Sequence, residues 1–147
     1  MKYIEEYRDL FSVPKEYYLA HCISADFGMG RGIVIEFNKR FDMKRKLQRM
    51  YPDYINQWSH EKKRGDCIKV DRVFNLITKE RYFNKPTYKY LTNALLKMKK
   101  LCIEYNVKKV AMPLIGCGLD RLSWDKVSEI IKKIFEDTDI EIMVCKK

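Results

Sequence analysis

The sequence of 147 residues contains no apolar run close to the 20 residues that a membrane-spanning helix needs. It has only two histidines, and its five cysteines include no C-x-x-C pair, so a zinc site is not expected. The acidic segment 1–6 lacks the continuous apolar core of a signal peptide. No repeat, low-complexity segment or linker is present. These absences argue against membrane, secreted and zinc-binding classes, and the scattered cysteines indicate a reducing, intracellular compartment.

The composition predicts a globular chain with one domain, because hydrophobic residues make up 46% and charged residues 34% of it. The formal net charge is +10, from 30 basic and 20 acidic residues. Such an excess is compatible with an anionic ligand or polymer as partner. The basic residues are spread in short groups, however, and the simpler interpretation is solvated helix faces and turns. No zinc-finger or ribonucleoprotein-type aromatic signature accompanies the charge.

Hydrophobic periodicity predicts strands first and then an alternation of helices and strands. Segment 17–24 is almost entirely apolar, which suits a central strand covered on both faces. Thr87 is predicted to cap a long helix, and Ser123 to cap the next one. Helices on both sides of a mixed sheet are the economical arrangement. The predicted strands are 2–7, 17–24, 67–70, 73–78, 107–115 and 140–145; the predicted helices are 33–41, 44–50, 53–58, a long helix from 87, and 127–135.

The most informative stretch runs from Ile115 to Asp125 and reads Ile-Gly-Cys-Gly-Leu-Asp-Arg-Leu-Ser-Trp-Asp. It follows an apolar run that predicts a buried strand, and it precedes an amphipathic run that predicts a helix. A Gly-x-Gly turn in this position suits a phosphate, because glycines let N–H groups approach the anion and the helix N-terminus adds partial positive charge. Asp120 lies at the mouth of the turn. A phosphate cradle beside a carboxylate indicates chemistry on a nucleotide-like ligand.

A second glycine turn, Gly28-Met29-Gly30-Arg31-Gly32, also lies between a predicted buried strand and a predicted helix. It does not match the dinucleotide fingerprint, because Ile33 stands where the third glycine should be, and no Walker pattern occurs in the chain. Either turn alone is equally compatible with a plain strand-to-helix connection. The two together are a stronger signal, since a diphosphate needs donors on both sides and strand ends in an α/β sheet share one crevice.

Several single residues have both a functional and a structural interpretation. Lys79 ends a predicted strand; a lysine in an apolar pocket can lose its proton and attack a sugar carbon, although most lysines in so basic a chain are solvated charges. Asp120 can take part in a reaction or only terminate a turn. His21 lies in an apolar run and is expected to be a core histidine. Cys117 has no identifiable base, so a thiol nucleophile is not expected.

With these residues laid out, the chain resembles the macrodomain family, and within it the branch called terminal ADP-ribose protein glycohydrolase. The resemblance extends from about Asp9 to Val144, and its most specific part is the stretch 115–122. The matching stretches are Asp9-Leu10-Phe11, Ala20-His21-Cys22-Ile23-Ser24, Met29-Gly30 with Gly32-Ile33, Leu76-Ile77-Thr78-Lys79, Lys85-Pro86-Thr87-Tyr88, and Met112-Pro113 with Ile115-Gly116-Cys117-Gly118-Leu119-Asp120-Arg121-Leu122.

The resemblance implies a single macrodomain over 1–147, with a three-layer α/β/α fold, a central mixed sheet and ADP-ribose bound in a crevice at the strand ends. It implies that Lys79 is the catalytic nucleophile, which attacks the anomeric carbon of the distal ribose, and that Asp120 is the catalytic aspartate, which helps to resolve the lysine adduct. Asp9 would contact the adenine. The implied ligand-binding residues are Asp9, Leu10, Ser24, Gly30, Gly32, Ile115, Gly116, Cys117, Gly118 and Leu119.

The sequence departs from the family pattern in two places. His21-Cys22-Ile23-Ser24 stands where most macrodomains carry an asparagine-rich motif, which argues against the asparagine-dependent hydrolase branch. The stretch 50–63 has no close counterpart in the family pattern, and we interpret it as an extension of the rim over the substrate. The identity of the leaving group is therefore open.

The expected function is an ADP-ribosyl hydrolase that acts on ADP-ribosylated protein or DNA, as a monomer inside the cell, without a cofactor, a metal or a membrane partner. The acceptor can be a protein carboxylate ester or a DNA base, and the positive charge mildly favours DNA. Three alternatives stay open: a non-catalytic reader of ADP-ribosylated partners, an O-acyl-ADP-ribose deacylase that uses the same site, and a generic nucleic-acid-binding protein with a vestigial cleft.

Overall fold

The computed structural model describes all residues, 1–147, as six strands, five helices and one 3-10 turn. The strands are β1 Lys2–Glu6, β2 Tyr18–Ser24, β3 Asp66–Val70, β4 Val73–Lys79, β5 Lys109–Met112 and β6 Glu141–Cys145. The helices are α1 Val34–Phe41, α2 Met43–Met50, α3 Tyr54–Glu61, α4 Tyr88–Glu104 and α5 Trp124–Phe135, and the 3-10 turn is Leu10–Ser12. None of the helices combines the length and the apolar composition that crossing a membrane requires.

The six strands form one sheet in the order β1-β6-β5-β2-β4-β3. All neighbouring pairs are parallel except β3 and β4, which are antiparallel and are joined by a tight turn at Asp71-Arg72. The sheet is therefore mixed, as predicted, and β2 lies inside it between β5 and β4. Because β2, β4, β5 and β6 run in the same direction, the loops that follow them all leave the sheet at one edge.

Helices cover both faces of the sheet, which confirms the three-layer arrangement. The alternation of side chains along β4 shows why: Val73 and Ile77 pack with α1, α2 and α3, whereas Phe74 and Leu76 pack with α4 and α5. All four are fully buried. A strand that is buried on both faces needs apolar residues at consecutive positions, and this is the pattern that distinguishes β2 and β4 in the sequence.

Most predicted elements lie within a few residues of the observed ones, but two predictions were wrong in detail. The strand predicted at 107–115 is observed only at Lys109–Met112, because Pro113 has no N–H to continue the ladder and the Ile115 N–H bonds to the Pro113 carbonyl at 2.8 Å. Ser123 occupies the N-cap position of α5, yet its side chain caps nothing. Thr87 does cap α4, since its hydroxyl accepts from the Tyr90 N–H at 3.1 Å.

His21 is a core residue, as expected. It lies on β2 directly opposite Asn75 on β4, and its Nε2 is 2.7 Å from the Asn75 side-chain oxygen. Its ring stacks on Phe37 with the ring centroids 3.8 Å apart. Burial lowers the pKa of His21 to about 4, although the hydrogen bond with Asn75 opposes the shift. The imidazole is therefore neutral at physiological pH.

We expect this buried imidazole to make the fold sensitive to mild acid. The unfolded chain takes up a proton near pH 6.5 and the folded chain only near pH 4, so stability falls as pH falls through this window. For these values, linkage gives a loss of about 2 kcal/mol between pH 7 and pH 5. Urea unfolding of the wild type at both pH values should show this loss, and the His21→Gln variant, which keeps a donor for Asn75 but does not titrate, should show little of it. An equal loss in both proteins would contradict the assignment.

Candidate functional site

A cleft of about 830 Å³ opens at the edge of the sheet where the parallel strands end. Its walls come from the loop after β2, the residues that follow β4, the loop after β5 and the end of the chain after β6. Chain segments far apart in sequence therefore meet here because of strand order. This edge is the place where open α/β sheets bind their ligands.

Lys79 and Asp120 converge at one side of the cleft. Lys79 is the last residue of β4, and Asp120 lies in the glycine loop after β5, 41 positions later. The Lys79 Nζ is 2.9 Å from Asp120 Oδ1, and both side chains are only 15% exposed. An amine and a carboxylate in direct contact in a partly desolvated cleft can exchange a proton and can act together on a bound molecule.

The loop that carries Asp120 is held in shape by its own hydrogen bonds. The Leu122 N–H bonds to the Gly116 carbonyl at 2.7 Å, and the Lys85 Nζ donates to the Leu119 carbonyl at 2.9 Å. Gly116 has a φ of 73°, a conformation that glycine adopts without strain. None of the N–H groups of Gly116, Gly118, Leu119 and Asp120 donates a hydrogen bond within the protein. The loop thus presents a set of free donors to the cleft, which suits an anion.

The loop after β2 forms the opposite wall and is anchored by Asp26. The Ser24 hydroxyl and the Gly28 N–H both donate to Asp26 Oδ1, and the Tyr82 N–H donates to Oδ2 at 3.1 Å. Burial alone would raise the pKa of Asp26, but these hydrogen bonds bring it below the usual value. The carboxylate therefore stays charged and ties the loop after β4 to the loop after β2.

The same wall also exposes free main-chain donors. The N–H groups of Gly30, Arg31, Gly32 and Ile33 make no hydrogen bond within the protein, and Gly32 has a φ of 72°. They lie immediately before α1, whose N-terminal residue Val34 also lines the cleft. Donors on two facing walls satisfy the requirement of a diphosphate, which carries anionic oxygens on both sides.

The cysteines of the cleft are poor nucleophiles. Burial raises the pKa of Cys22 to about 12 and that of Cys145 to about 11, and it raises that of Cys117 above its usual value, so all three thiols stay protonated at neutral pH. Neither histidine lines the cleft: His21 is in the core and His60 is exposed on α3. Of the four lysines that line the cleft, Lys79 alone contacts a carboxylate that also lines it, which makes it the nucleophile candidate.

The structure brings most of the predicted site residues together. With Lys79 and Asp120, the cleft is lined by Ser24, Gly30, Gly32, Ile115, Gly116, Cys117, Gly118 and Leu119. Asp9 and Leu10 do not line it. Asp9 is exposed and its carboxylate accepts from the Phe11 N–H at 2.9 Å, whereas Leu10 is buried in the core. Asp9 is linked to the cleft only by Lys147, a lining residue whose Nζ lies 4.0 Å from the Asp9 carboxylate. Contact between Asp9 and a ligand therefore stays a prediction.

Sequence reasoning missed several residues that shape the cleft. Asp26 and Lys85 organise both walls, and Tyr82 and Phe83 stand exposed on the rim. A signal existed for Lys85, which belongs to the matching stretch Lys85-Pro86-Thr87-Tyr88. For the others only the loop geometry reveals the role. No group of three or more His, Cys, Asp or Glu side chains is arranged to hold a metal ion.

The stretch 50–63 does not extend the cleft rim, because none of its residues lines the cleft. It forms α3 and walls a second depression of about 620 Å³, which we call the α3 groove. Lys79 and Lys85 line both the cleft and the groove. The groove is lined by Trp58, Ser59, Lys62, Lys63, Arg64, Lys79, Glu80, Asn84, Lys85, Thr87 and Tyr90.

The chain is similar to named proteins in sequence and in structure. The family model described as Macro domain matches residues 64–131. The ADP-ribose glycohydrolase OARD1 of Homo sapiens is 44% identical over 140 residues, which cover 92% of this chain and 86% of that protein. The DNA ADP-ribosyl glycohydrolase of Mycobacterium tuberculosis is 24% identical over 131 residues, 79% of this chain and 34% of that protein. The solved macrodomain of Thermus aquaticus DarG has a TM-score of 0.79 at 21% identity and covers 99% of this chain and 98% of that one.

The two glycines of the loop after β5 should respond differently to an added methyl group. In Gly116→Ala the new Cβ would lie 3.0 Å from a Leu122 methyl at a positive φ, and we expect a loss of about 1–2 kcal/mol in the free energy of unfolding. Gly118→Ala meets no atom within 4 Å and should change stability by less than about 0.5 kcal/mol. Urea titration of both variants measures the difference, and similar losses would show that the loop does not hold Gly116 as described.

Proposed function

Because the chain belongs to the macrodomain family, we propose that it is an ADP-ribosyl hydrolase, which binds ADP-ribose in the cleft and releases it from a modified acceptor. Two findings support this proposal: the 44% identical relative named ADP-ribose glycohydrolase, and the paired Lys79 and Asp120 at one side of the cleft. The pair carries most of the argument, since a module that only binds ADP-ribose does not need it. The first strand, β1, pairs with the last strand, β6, within one sheet. This pairing supports treating residues 1–147 as one macrodomain.

The two glycine loops hold the diphosphate in this proposal. The free N–H groups of Gly30 and Gly32 on one wall, and of Gly116 and Gly118 on the other, donate to the phosphate oxygens. The positive end of α1 and the side chain of Arg31 add to the attraction. With the diphosphate fixed between the loops, the distal ribose extends toward Lys79 and Asp120.

The reaction that we propose begins with a proton transfer within the ion pair. The Lys79 ammonium gives a proton to the Asp120 carboxylate, and the free amine attacks the anomeric carbon of the distal ribose. The bond from this carbon to the acceptor breaks, its electron pair leaves with the acceptor, and Asp120 passes its newly gained proton to the departing acceptor, so that its carboxylate is ionised again. A water molecule then replaces the lysine at the same carbon, with Asp120 accepting the proton of the water. Free ADP-ribose is released and the pair is restored.

The acceptor can be a carboxylate ester on a protein or a base in DNA, since the mechanism requires only a leaving group at the anomeric carbon. The same pair could also act on O-acyl-ADP-ribose. We further propose that the protein works as a monomer in an intracellular compartment; its five free cysteines fit a reducing environment. Sedimentation of the purified chain tests the oligomeric state directly.

Replacing Lys79 with Arg tests the nucleophile without removing the charge. Arginine can keep the ion pair with Asp120, but it does not deprotonate in proteins and so cannot attack. We expect the rate of ADP-ribose release to fall by roughly a hundredfold or more, while ADP-ribose affinity by calorimetry changes by less than about threefold. Asp120→Asn should lower the rate by at least about a hundredfold through loss of the proton acceptor.

A distant lysine provides the control for this series. Lys108 forms an exposed ion pair with Asp139, and Lys108→Arg should retain the wild-type rate. Full activity of Lys79→Arg would exclude the lysine mechanism. Tight ADP-ribose binding by the wild type with no turnover of a modified peptide, a modified oligonucleotide or O-acyl-ADP-ribose would establish a reader in place of a hydrolase. If the wild type shows no detectable ADP-ribose binding, the alternative of a nucleic-acid-binding protein with a vestigial cleft would be supported.

A further inference from the structure

The α3 groove is strongly basic. Five of its eleven lining residues are lysine or arginine, and Glu80 is the single acid among them. Lys62, Arg64 and Lys85 have no carboxylate partner within the protein. The Glu80 carboxylate accepts a hydrogen bond from the Ser59 hydroxyl at 3.0 Å. A concave surface with several unpaired cations attracts a partner that carries several negative charges.

The groove adjoins the reacting end of the cleft. The loop 80–87 is a ridge between them: Tyr82 and Phe83 face the cleft, while Asn84 and Thr87 face the groove. Lys79 lies at the foot of this ridge and lines both depressions. If ADP-ribose fills the cleft with its distal ribose at Lys79, the groove is available to the acceptor that is bonded to this ribose. The inference therefore rests on the proposed function.

The groove has a rigid wall of its own. α3 is anchored by Trp58, which is buried, and by Tyr54, whose hydroxyl donates to the buried carboxylate of Asp66. Lys63 lies between Glu61 and Asp66, at 3.9 and 3.6 Å, and so contributes to this anchoring. Lys62 and Arg64 lie just after the end of α3 in the sequence, and both residues are exposed. The wall is thus preformed, and little ordering is needed when a partner binds.

Two aromatic rings on the ridge favour a nucleic acid over an acidic peptide. Tyr82 and Phe83 are 63% and 66% exposed, and their rings meet edge to face with centroids 5.3 Å apart. Large exposed rings next to a basic groove form the combination by which proteins bind single strands, with phosphates in the groove and bases stacked on the rings. An acidic peptide would use the cations but has no need of the rings.

We infer that the α3 groove binds the phosphate backbone of a single nucleic-acid strand whose ADP-ribosylated nucleotide is held at Lys79. The strand crosses the ridge beside Tyr82 and Phe83, and its phosphates contact Lys62, Arg64 and Lys85. The groove thereby selects the acceptor, while the cleft selects ADP-ribose. The unusual stretch 50–63 supplies one wall of this second surface.

Charge removal in the groove tests the inference. In Lys62→Gln/Arg64→Gln both cations are lost, while Lys132→Gln/Lys133→Gln removes the same charge from exposed positions of α5, which lines neither the cleft nor the groove. The substrates are a single-stranded oligonucleotide that is ADP-ribosylated on a base and a peptide that is ADP-ribosylated on glutamate. We expect kcat/KM on the oligonucleotide to fall roughly tenfold in the groove variant at about 50 mM salt, with little change in the α5 variant.

Salt dependence and an unmodified strand supply independent readouts. Loss of two phosphate contacts should reduce the slope of log affinity against log salt by about 1.4 for an unmodified single-stranded oligonucleotide, measured by fluorescence anisotropy. The rate on the peptide should stay unchanged in both variants. Equal losses in the groove and α5 variants, or an equal loss on peptide and oligonucleotide, would overturn the inference. If the wild type releases ADP-ribose from neither substrate the proposed function fails, whereas the anisotropy result still decides what the groove binds.

Discussion

The parallel pairing of β2 with β4 on one side and β5 on the other is the constraint on which the site depends. This pairing places Ser24, Lys79 and the residues after Met112 at one edge of the sheet. Ser24 lies in register with Lys79, so the first glycine loop begins beside the amine. A shift of register would separate the buried pair His21 and Asn75 and misfit the packed side chains on both faces, and the core thus protects the geometry of the edge.

The cleft combines two kinds of electrostatic feature with separate tasks. Main-chain N–H groups on both glycine loops are free of internal partners and offer donors without adding a full charge. Four charged groups in or beside the cleft have partners within the protein: Lys79 and Asp120 neutralise each other, Asp26 ties two loops together, and Lys85 clamps the loop after β5. In the proposed function, the main-chain dipoles and Arg31 bind the diphosphate, and the ion pair of Lys79 and Asp120 carries out the chemistry.

The α3 groove adds a cationic surface beside the cleft that the parallel strands alone do not explain. It arises because residues 50–63 form a helix that docks on β3 and on the start of α4 through buried aromatic residues. Three of its five cations, Lys62, Lys63 and Arg64, follow α3, whereas Lys79 ends β4 and Lys85 lies in the loop after it. The cleft is thus built by the sheet edge, and the groove forms where α3 and the residues after it meet the loop after β4. The two depressions meet at Lys79, which lines both.

The elements were largely predictable, because double-sided burial leaves a continuous apolar run in β2 and helical spacing marks the buried face of α4. The strand at β5 was predicted too long, since apolar residues continue past Pro113 although the ladder ends there. The glycine loops were visible as motifs, and the resemblance to macrodomains pointed to Lys79 and Asp120. Asp26, Tyr82 and Phe83 were missed, because a single aspartate and two loop aromatics carry no periodicity and follow no spacing rule.

The sequence by itself determined the alternation of helices and strands, the two glycine turns and the excess of positive charge, because these depend on residue type and local spacing. Only the tertiary structure decided which of the many lysines meets a carboxylate, which donors stay unpaired and where the surplus cations gather. Those properties arise from contacts between segments that are tens of residues apart, and strand order, which no local pattern encodes, brings the segments together.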